Sequence, residues 1–481
     1  MSGFRFAPGR PPAIARGGMV ATSHVVATQA GVRMLELGGN AVDAALAAAA
    51  ALCVVEPMST GIGGDAFALV WQDGAVSALD AAGPAPASAD AGGPVAGDGP
   101  RSVTVPGAVS GWAALARCHG RLGLDRCLAP AIDLADRGFA LAQRTALAWV
   151  AGSPCPAEVG PLEPRVGDRI AFPALAASLR RIAEHGPDAF YRGEIARAIA
   201  DVSWLAEDDL AGYEARWVEP LRRLYRGVEV LELPPPTQGV AALEALALLE
   251  LGEPALVEQV ECVALALEDA FARVRDGADV ADLLDDDRLR RRRADGPTLD
   301  GGARGDTVYL CTADGDGGAV SFIQSLYEAF GSGVAAPGTG VVLQNRGAGF
   351  AVGGAGVAPG RRPYHTIIPG MLVQGGELLG PFGVMGGFMQ AQGHVQVVSA
   401  LVDDGLDPQA ALDRARFRVD PGVVRLEEGL WGRVDELRAR GLAAERSTDL
   451  LSFGAGQIIL RRDGVLVGGT DPRADGAVGV V

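Results

Sequence analysis

Apolar positions along this chain keep two rhythms, and the change between them falls near residue 306. Upstream, they recur mostly at helical spacing. A pattern over residues 27–37 stops at Gly38-Gly39, a favoured helix end, and Asn40 stands ready to cap the next segment. That segment, 40–55, is apolar nearly all round and predicts a helix buried on every side. Helices are also predicted over most of 108–199, with loops near 153–169, and over 240–251 and 257–275. Residues 223–233 read as a strand ending in Pro234-Pro235-Pro236-Thr237-Gln238-Gly239. Downstream, two strands at 307–312 and 320–326 flank the tight turn Asp314-Gly315-Asp316-Gly317-Gly318, a hairpin signal. More strands are expected at 341–343, 371–374, 423–426, 457–460 and 465–468, with helices at 387–402 and 408–415. Helices followed by hairpins, with more helices between, predict stacked sheets covered by helices.

Composition narrows the chemistry. The chain has 481 residues and 48% hydrophobic content, enough for one large layered domain or for two or three smaller ones. Its net charge of −17 disfavours nucleic acid or an anionic membrane as partner. Every basic side chain other than histidine is arginine, because the sequence contains no lysine. That removes Schiff-base chemistry, a pyridoxal-phosphate anchor, a Ser–Lys dyad and a P-loop lysine. Gly61-Ile62-Gly63-Gly64, which leads into an apolar run at 66–70, therefore reads as a turn before a strand and not as a phosphate cradle. The charged stretch 276–306 reads as a flexible linker, and Arg290 to Arg293 within it as a solvated loop. Six dispersed cysteines lack metal-ligand spacing. Residues 1–16 are not of signal-peptide type and no run reaches the roughly 20 apolar residues of a membrane span, so a cytoplasmic location is expected.

The chemical question centres on Asp306-Thr307, where the linker ends and the hairpin begins. Threonine commonly opens a strand for structural reasons alone. If the chain were cut before Thr307, however, the hydroxyl would gain its own general base in the freed α-amine. Such an amine has a pKa of roughly 7.7–8.0, so a useful fraction is neutral near pH 7 and no histidine is required.

Ordered motifs decide between these readings. Gly18-Met19-Val20-Ala21-Thr22-Ser23-His24, Gly38-Gly39-Asn40-Ala41-Val42-Asp43-Ala44-Ala45, Glu56-Pro57-Met58-Ser59-Thr60-Gly61-Ile62-Gly63-Gly64 and Val105-Pro106-Gly107-Ala108-Val109 come first. Phe330-Gly331-Ser332-Gly333, Pro337-Gly338-Thr339-Gly340, Met385-Gly386-Gly387 and Asp471-Pro472-Arg473 follow. Together and in this order they resemble the γ-glutamyltranspeptidase (glutathione hydrolase) family of N-terminal-nucleophile (Ntn) hydrolases, and Gly386-Gly387-Phe388-Met389-Gln390-Ala391-Gln392-Gly393-His394-Val395-Gln396 looks like its divergent, acylase-like branch. The resemblance implies an α+β, four-layer αββα sandwich. It also implies a precursor that cuts itself between Asp306 and Thr307 into a large chain, 1–306, and a small chain, 307–481, which stay associated. Thr307 would be the nucleophile, Gly386 and Gly387 the oxyanion hole, and Ser325 a hydroxyl that assists the cut and orients the nucleophile. The substrate would be a small amide, no metal or organic cofactor is implied, and a homodimer is compatible with the reading.

Departures from the family pattern concern the substrate. Members of the family hold a glutamate carboxylate with an arginine where this chain has Ala82, and the amine with polar or acidic residues where it has Arg346 and Gly349, after Asn345. A serine pair is His365-Thr366 here, and a substrate-contacting asparagine is Tyr327. The expected substrate contacts are therefore Tyr327, Asn345, Arg346, His365 and Thr366, around an anionic or neutral acyl group lacking an α-amine. Gln390, Gln392 and His394, at helical spacing, read as a buried polar helix face. Three other readings stand beside this one. They are a true γ-glutamyl hydrolase or transferase, a specialised-metabolite enzyme including one that breaks a C–C bond, and an unprocessed, non-catalytic homologue.

Overall fold

The computed structural model describes residues 10–152, 155–156, 159–297, 299, 305–354 and 356–481. Two seven-stranded sheets lie face to face, each with helices on its outer side. The first sheet has the order Ala477–Val480, Gly18–Thr22, Asp306–Asp314, Ala319–Tyr327, Asp65–Gln72, Ala75–Ala81 and Arg216–Val218. The second runs Ala13–Ala15, Val465–Thr470, Ala455–Arg462, Glu377–Met385, Gly370–Gln374, Val228–Glu232 and Leu221–Tyr225. This is the αββα sandwich that the motifs implied.

Alternation along the strands builds the layers. Val308 and Leu310 face the helices outside the first sheet, while Tyr309 and Cys311 face the second sheet. Phe67, Leu69, Ile323, Met371 and Ile459 complete the apolar seam between the sheets. Gly383 has no side chain because the Tyr309 ring lies against it. The helix Ala41–Val55 is buried at all fifteen positions, and Asn40 caps it by accepting from the N–H groups of Val42 and Asp43. Gly63 and Gly64 are packing glycines, since a Cβ on either would run into the Val342 or Ser325 carbonyl. No helix among the described residues is long and apolar enough to cross a membrane.

Two expectations need correction. The strand at 223–233 is two strands, Leu221–Tyr225 and Val228–Glu232, turning at Arg226-Gly227. The described part of 276–306 is not a loose linker, because Ala281–Leu284 and Asp286–Arg292 are short helices with Leu283 and Leu289 buried. Of the four arginines at 290–293, Arg290 and Arg291 are exposed as expected, whereas Arg292 and Arg293 are half-buried and paired with other helices. Arg288 bridges Glu244 and Asp269, each at 2.7 Å, and Arg292 reaches Glu268 at 2.6 Å and Asp269 at 2.8 Å. Charge richness looked like disorder because these counter-charges lie on other helices. Residues 298 and 300–304, the end of the expected linker, lie outside the described residues.

Candidate active site

The strands Asp306–Asp314 and Ala319–Tyr327 bring the candidate residues together at their shared end. Their interior-facing side chains form a ladder between the sheets. Tyr309 and Ser321 hydroxyls meet at 2.8 Å, and beyond them Thr307 Oγ1 donates to Ser325 Oγ at 3.2 Å. Strand pairing shifts between Asp306 and Val308, so Thr307 sits at an irregularity in the ladder. Ser325 Oγ also accepts from the Tyr327 N–H at 2.7 Å. From the first turn of the helix Met389–Val402, Gln390 Nε2 donates to Thr307 Oγ1 at 3.4 Å, while its Oε1 accepts from the Ile368 N–H at 2.9 Å.

Gly386 and Gly387 link the strand Glu377–Met385 to that helix with φ of 121° and 62°, values that favour glycine. Gln238 fastens the turn, since its Nε2 donates to the Gly387 carbonyl at 3.1 Å and to the Thr366 carbonyl at 2.6 Å. Gly305, two residues before Thr307, is packed on it as well. A Cβ on Gly305 would stand 3.0 Å from Gly387 Cα. A cavity of about 500 Å³ starts at Gly305 and Gly386.

The positions where glutamate would be held are closed. Arg346 is fully buried, with its Nε 3.6 Å from Asp65 Oδ2, its guanidinium 4.4 Å from the Tyr327 ring centre and one terminal nitrogen 3.4 Å from Thr366 Oγ1. Burial lowers the Arg346 pKa, and Asp65 works to raise it. Tyr327 holds its place at φ 83°, a strained value for a side chain of its size. A side chain at Gly349 would meet the Tyr364 carbonyl, so this backbone has no room for an aspartate there. The Ala82 carbonyl accepts instead from Arg362 Nε at 2.8 Å.

His365 and Asn345 stand beside the site with their side chains engaged. His365 Nε2 pairs with Asp65 at 2.8 Å and Nδ1 meets the Pro363 carbonyl at 2.8 Å, so this fully buried ring has no nitrogen facing the cavity. Asn345 Nδ2 donates to Gly97 O at 2.7 Å and to Glu328 Oε2 at 2.9 Å, and so orients a carboxylate that lines the cavity. Thr307, Ser325, Tyr327, Arg346, Thr366 and the Gly386-Gly387 turn are thus joined by contacts, directly or through Gln238.

Three residues escaped the sequence reading. Asp65, which also accepts from Gln344 Nε2 at 2.9 Å, is the buried hub for Arg346 and His365. Gln238 follows the proline run, which signals a fixed loop but no target. Gln390 shares its helical spacing with Gln392 and His394, which by pattern alone makes all three a buried polar helix face. That account fits Gln392, bonded to Phe388 O and Val419 O, and His394, which is 2.6 Å from Glu232. It does not cover the contact of Gln390 with Thr307.

The family model for gamma-glutamyltranspeptidase matches residues 27–481. The chain belongs to the γ-glutamyltranspeptidase family. As a member of this family it is an enzyme of the Ntn-hydrolase class. It is similar to the glutathione hydrolase-like YwrD proenzyme of Bacillus subtilis (33% identical, covering 95% of this chain and 97% of the relative). It is also similar to the acylase ACY 1 proenzyme of a Pseudomonas species (34% identical, covering 97% and 94%). Among solved structures it resembles the cephalosporin acylase from Bacillus halodurans, with 41% identity, a TM-score of 0.92 and coverage of 100% and 99%. Within the γ-glutamyltranspeptidase frame, the motif Asp471-Pro472-Arg473 has structural contacts in this chain. Asp471 accepts from Arg416 at 2.6 Å and from the Gly456 N–H at 2.9 Å, next to the strand end that carries Met385.

Proposed function

We propose that the chain is a precursor that cuts itself between Asp306 and Thr307, and that Thr307 then hydrolyses an amide with a non-glutamyl acyl group. The observation that carries this reading is the Thr307 hydroxyl, aligned by Ser325 and Gln390 beside the glycine turn on which Gly305 is packed. In the cut, Thr307 Oγ1 adds to the Asp306 carbonyl carbon and the peptide nitrogen departs as an amine, leaving an ester. Water hydrolyses the ester to an Asp306 carboxylate and a free Thr307 α-amine. In turnover that amine takes the hydroxyl proton, Oγ1 attacks the substrate carbonyl, and the proton passes to the leaving amine. The N–H groups of Gly386 and Gly387 hold the oxyanion, a contribution of about 3–4 kcal/mol per donor removed. A second water releases the acid.

The closed clamp supports a non-glutamyl acyl group. The buried Arg346 cation stands where an α-amine would be bound, and Gly349 leaves no room for a carboxylate partner. That the relatives include proteins called acylases beside one called glutathione hydrolase-like supports a reading outside glutamyl substrates. The six cysteines are free thiols, five of them buried, which suits a reducing compartment such as the cytoplasm. The test compares γ-glutamyl and glutaryl anilides. Glutaryl turnover is expected to be the faster, and Thr307→Ala to abolish both the cut and the turnover. Clearly faster γ-glutamyl turnover would contradict the acyl assignment, and turnover surviving in Thr307→Ala would move the nucleophile elsewhere.

A further inference from the structure

The cavity of about 500 Å³ next to Gly386 offers one cation without a partner among the described residues. Three arginines line it. Arg418 is spent on Asp420, at 2.6 Å, and on the Ser452 carbonyl, at 2.9 Å. Arg473 is spent on Asp471 and Glu427. Arg144 makes no ion pair and no hydrogen bond among the described residues and is half-buried. It is the second residue of the nine-residue helix Gln143–Ala151, whose partial positive end adds to its charge.

The carboxylates in the same walls are already engaged. Glu56 accepts from Ser23 Oγ at 3.0 Å. Asp475 accepts from Thr145, through the backbone N–H at 2.7 Å and the hydroxyl at 2.9 Å. Glu328 accepts from Asn345, and burial pushes its carboxyl up toward the neutral form. The rest of the wall is largely apolar, with Met58, Ala148 and Leu451 among its residues. Arg346, by contrast, is matched by Asp65 and closed off by Tyr327, so it is not the free cation that its place in the sequence suggested.

Direction follows from the uncut chain. Gly305 and Asp306 form the acyl side of the peptide that Thr307 attacks, and Gly305 borders the cavity. A substrate acyl chain leaving Thr307 along the same path enters this cavity, carbonyl at Gly386 and far end among the walls. We propose that Arg144 is a specificity residue that binds the distal carboxylate of the acyl group, so that the preferred substrates are amides of dicarboxylic acids. This rests on the acyl-enzyme reading of Thr307.

The test measures kcat/KM for ω-carboxyacyl p-nitroanilides from glutaryl to suberyl, each against the methyl-terminated anilide of equal length. The processed enzyme is expected to prefer the carboxylate series at one or more lengths. Arg144→Ala should reduce that preference roughly 10- to 100-fold, the range for losing a charge-assisted contact. Arg144→Glu should invert the preference. An unchanged preference in Arg144→Ala at every length, or a wild-type enzyme that favours the methyl series, would overturn the proposal. Free dicarboxylates from glutarate to suberate supply a readout that needs no turnover, because a bound ligand raises the melting temperature. A shift present in the wild type and lost in Arg144→Ala supports the site, and the same shift in both proteins refutes it. An Arg144-dependent shift in a protein that turns over no amide would uphold the site while sinking the acyl-enzyme.

Discussion

Thr307 and Ser325 share a hydrogen bond at the open end of an inter-sheet ladder, and that bond sets the direction of the candidate nucleophile. Replacing Ser325 with alanine should slow both the cut and amide turnover by about 10- to 100-fold, the usual penalty for a misaligned reacting group. Ser325→Thr, which restores the hydroxyl, should recover most of the loss in a time course of precursor conversion. Arg346 makes a different prediction. It faces Asp65 in full burial, so Arg346→Met removes one of the carboxylate's two cationic-side partners, leaves His365 and Gln344 to hold it, and should cost about 1–3 kcal/mol in urea unfolding. A stable Arg346→Met chain with altered substrate preference would return this residue to the list of direct substrate contacts. Thr307, Ser325 and the glycine pair were legible because they sit in ordered motifs. The burial of Arg346 was not, because its counter-ion Asp65 comes from a distant glycine loop and only the fold brings the two together. Gln238 was hidden for the same reason, since its role lies entirely in the carbonyls of Thr366 and Gly387.

Strand Glu377–Met385 delivers Gly386, yet it gave no strand signal in the sequence. Gly380, Pro381 and Gly383 weaken the β pattern, and the reason for the two glycines is tertiary: the Ile459 backbone and the Tyr309 ring lie where their side chains would stand. The helices were easier to read, because caps and glycine stops are local. His24 caps the helix Val25–Glu36 by accepting the Val26 N–H on Nδ1 at 3.2 Å, which requires a neutral ring. Burial lowers its pKa to about 4 from 6.5, against a smaller opposing pull from Asp475. The folded pKa is below the unfolded one, so this contribution is fully present above pH 6.5 and fades as pH falls toward 4. The fall amounts to at most about 3 kcal/mol. Urea midpoints measured across that window should therefore drop, and His24→Asn, which keeps a capping oxygen that does not titrate, should flatten the drop. An equal slope in the variant would assign the pH dependence to other groups.

At the scale of the molecule, the first sheet interleaves strands from both sides of the proposed cut. Asp306–Asp314 lies between Gly18–Thr22 and Ala319–Tyr327, and Ala477–Val480 closes the far side of Gly18–Thr22. Cutting before Thr307 severs one peptide bond and leaves these ladders in place. The two pieces should elute together in native size-exclusion chromatography and part only in denaturant. Separation under native conditions would contradict the intertwined architecture. The layered fold was legible as a whole because the motif order spans nearly the entire chain, whereas the helices of residues 281–292 were not, their stability lying in ion pairs with distant segments. The central claim is that Thr307 becomes an N-terminus. Intact mass under denaturing conditions, combined with N-terminal sequencing of the purified protein, tests it directly. The account predicts two chains, the smaller beginning Thr-Val-Tyr-Leu, and a single uncut chain of 49.3 kDa would contradict it.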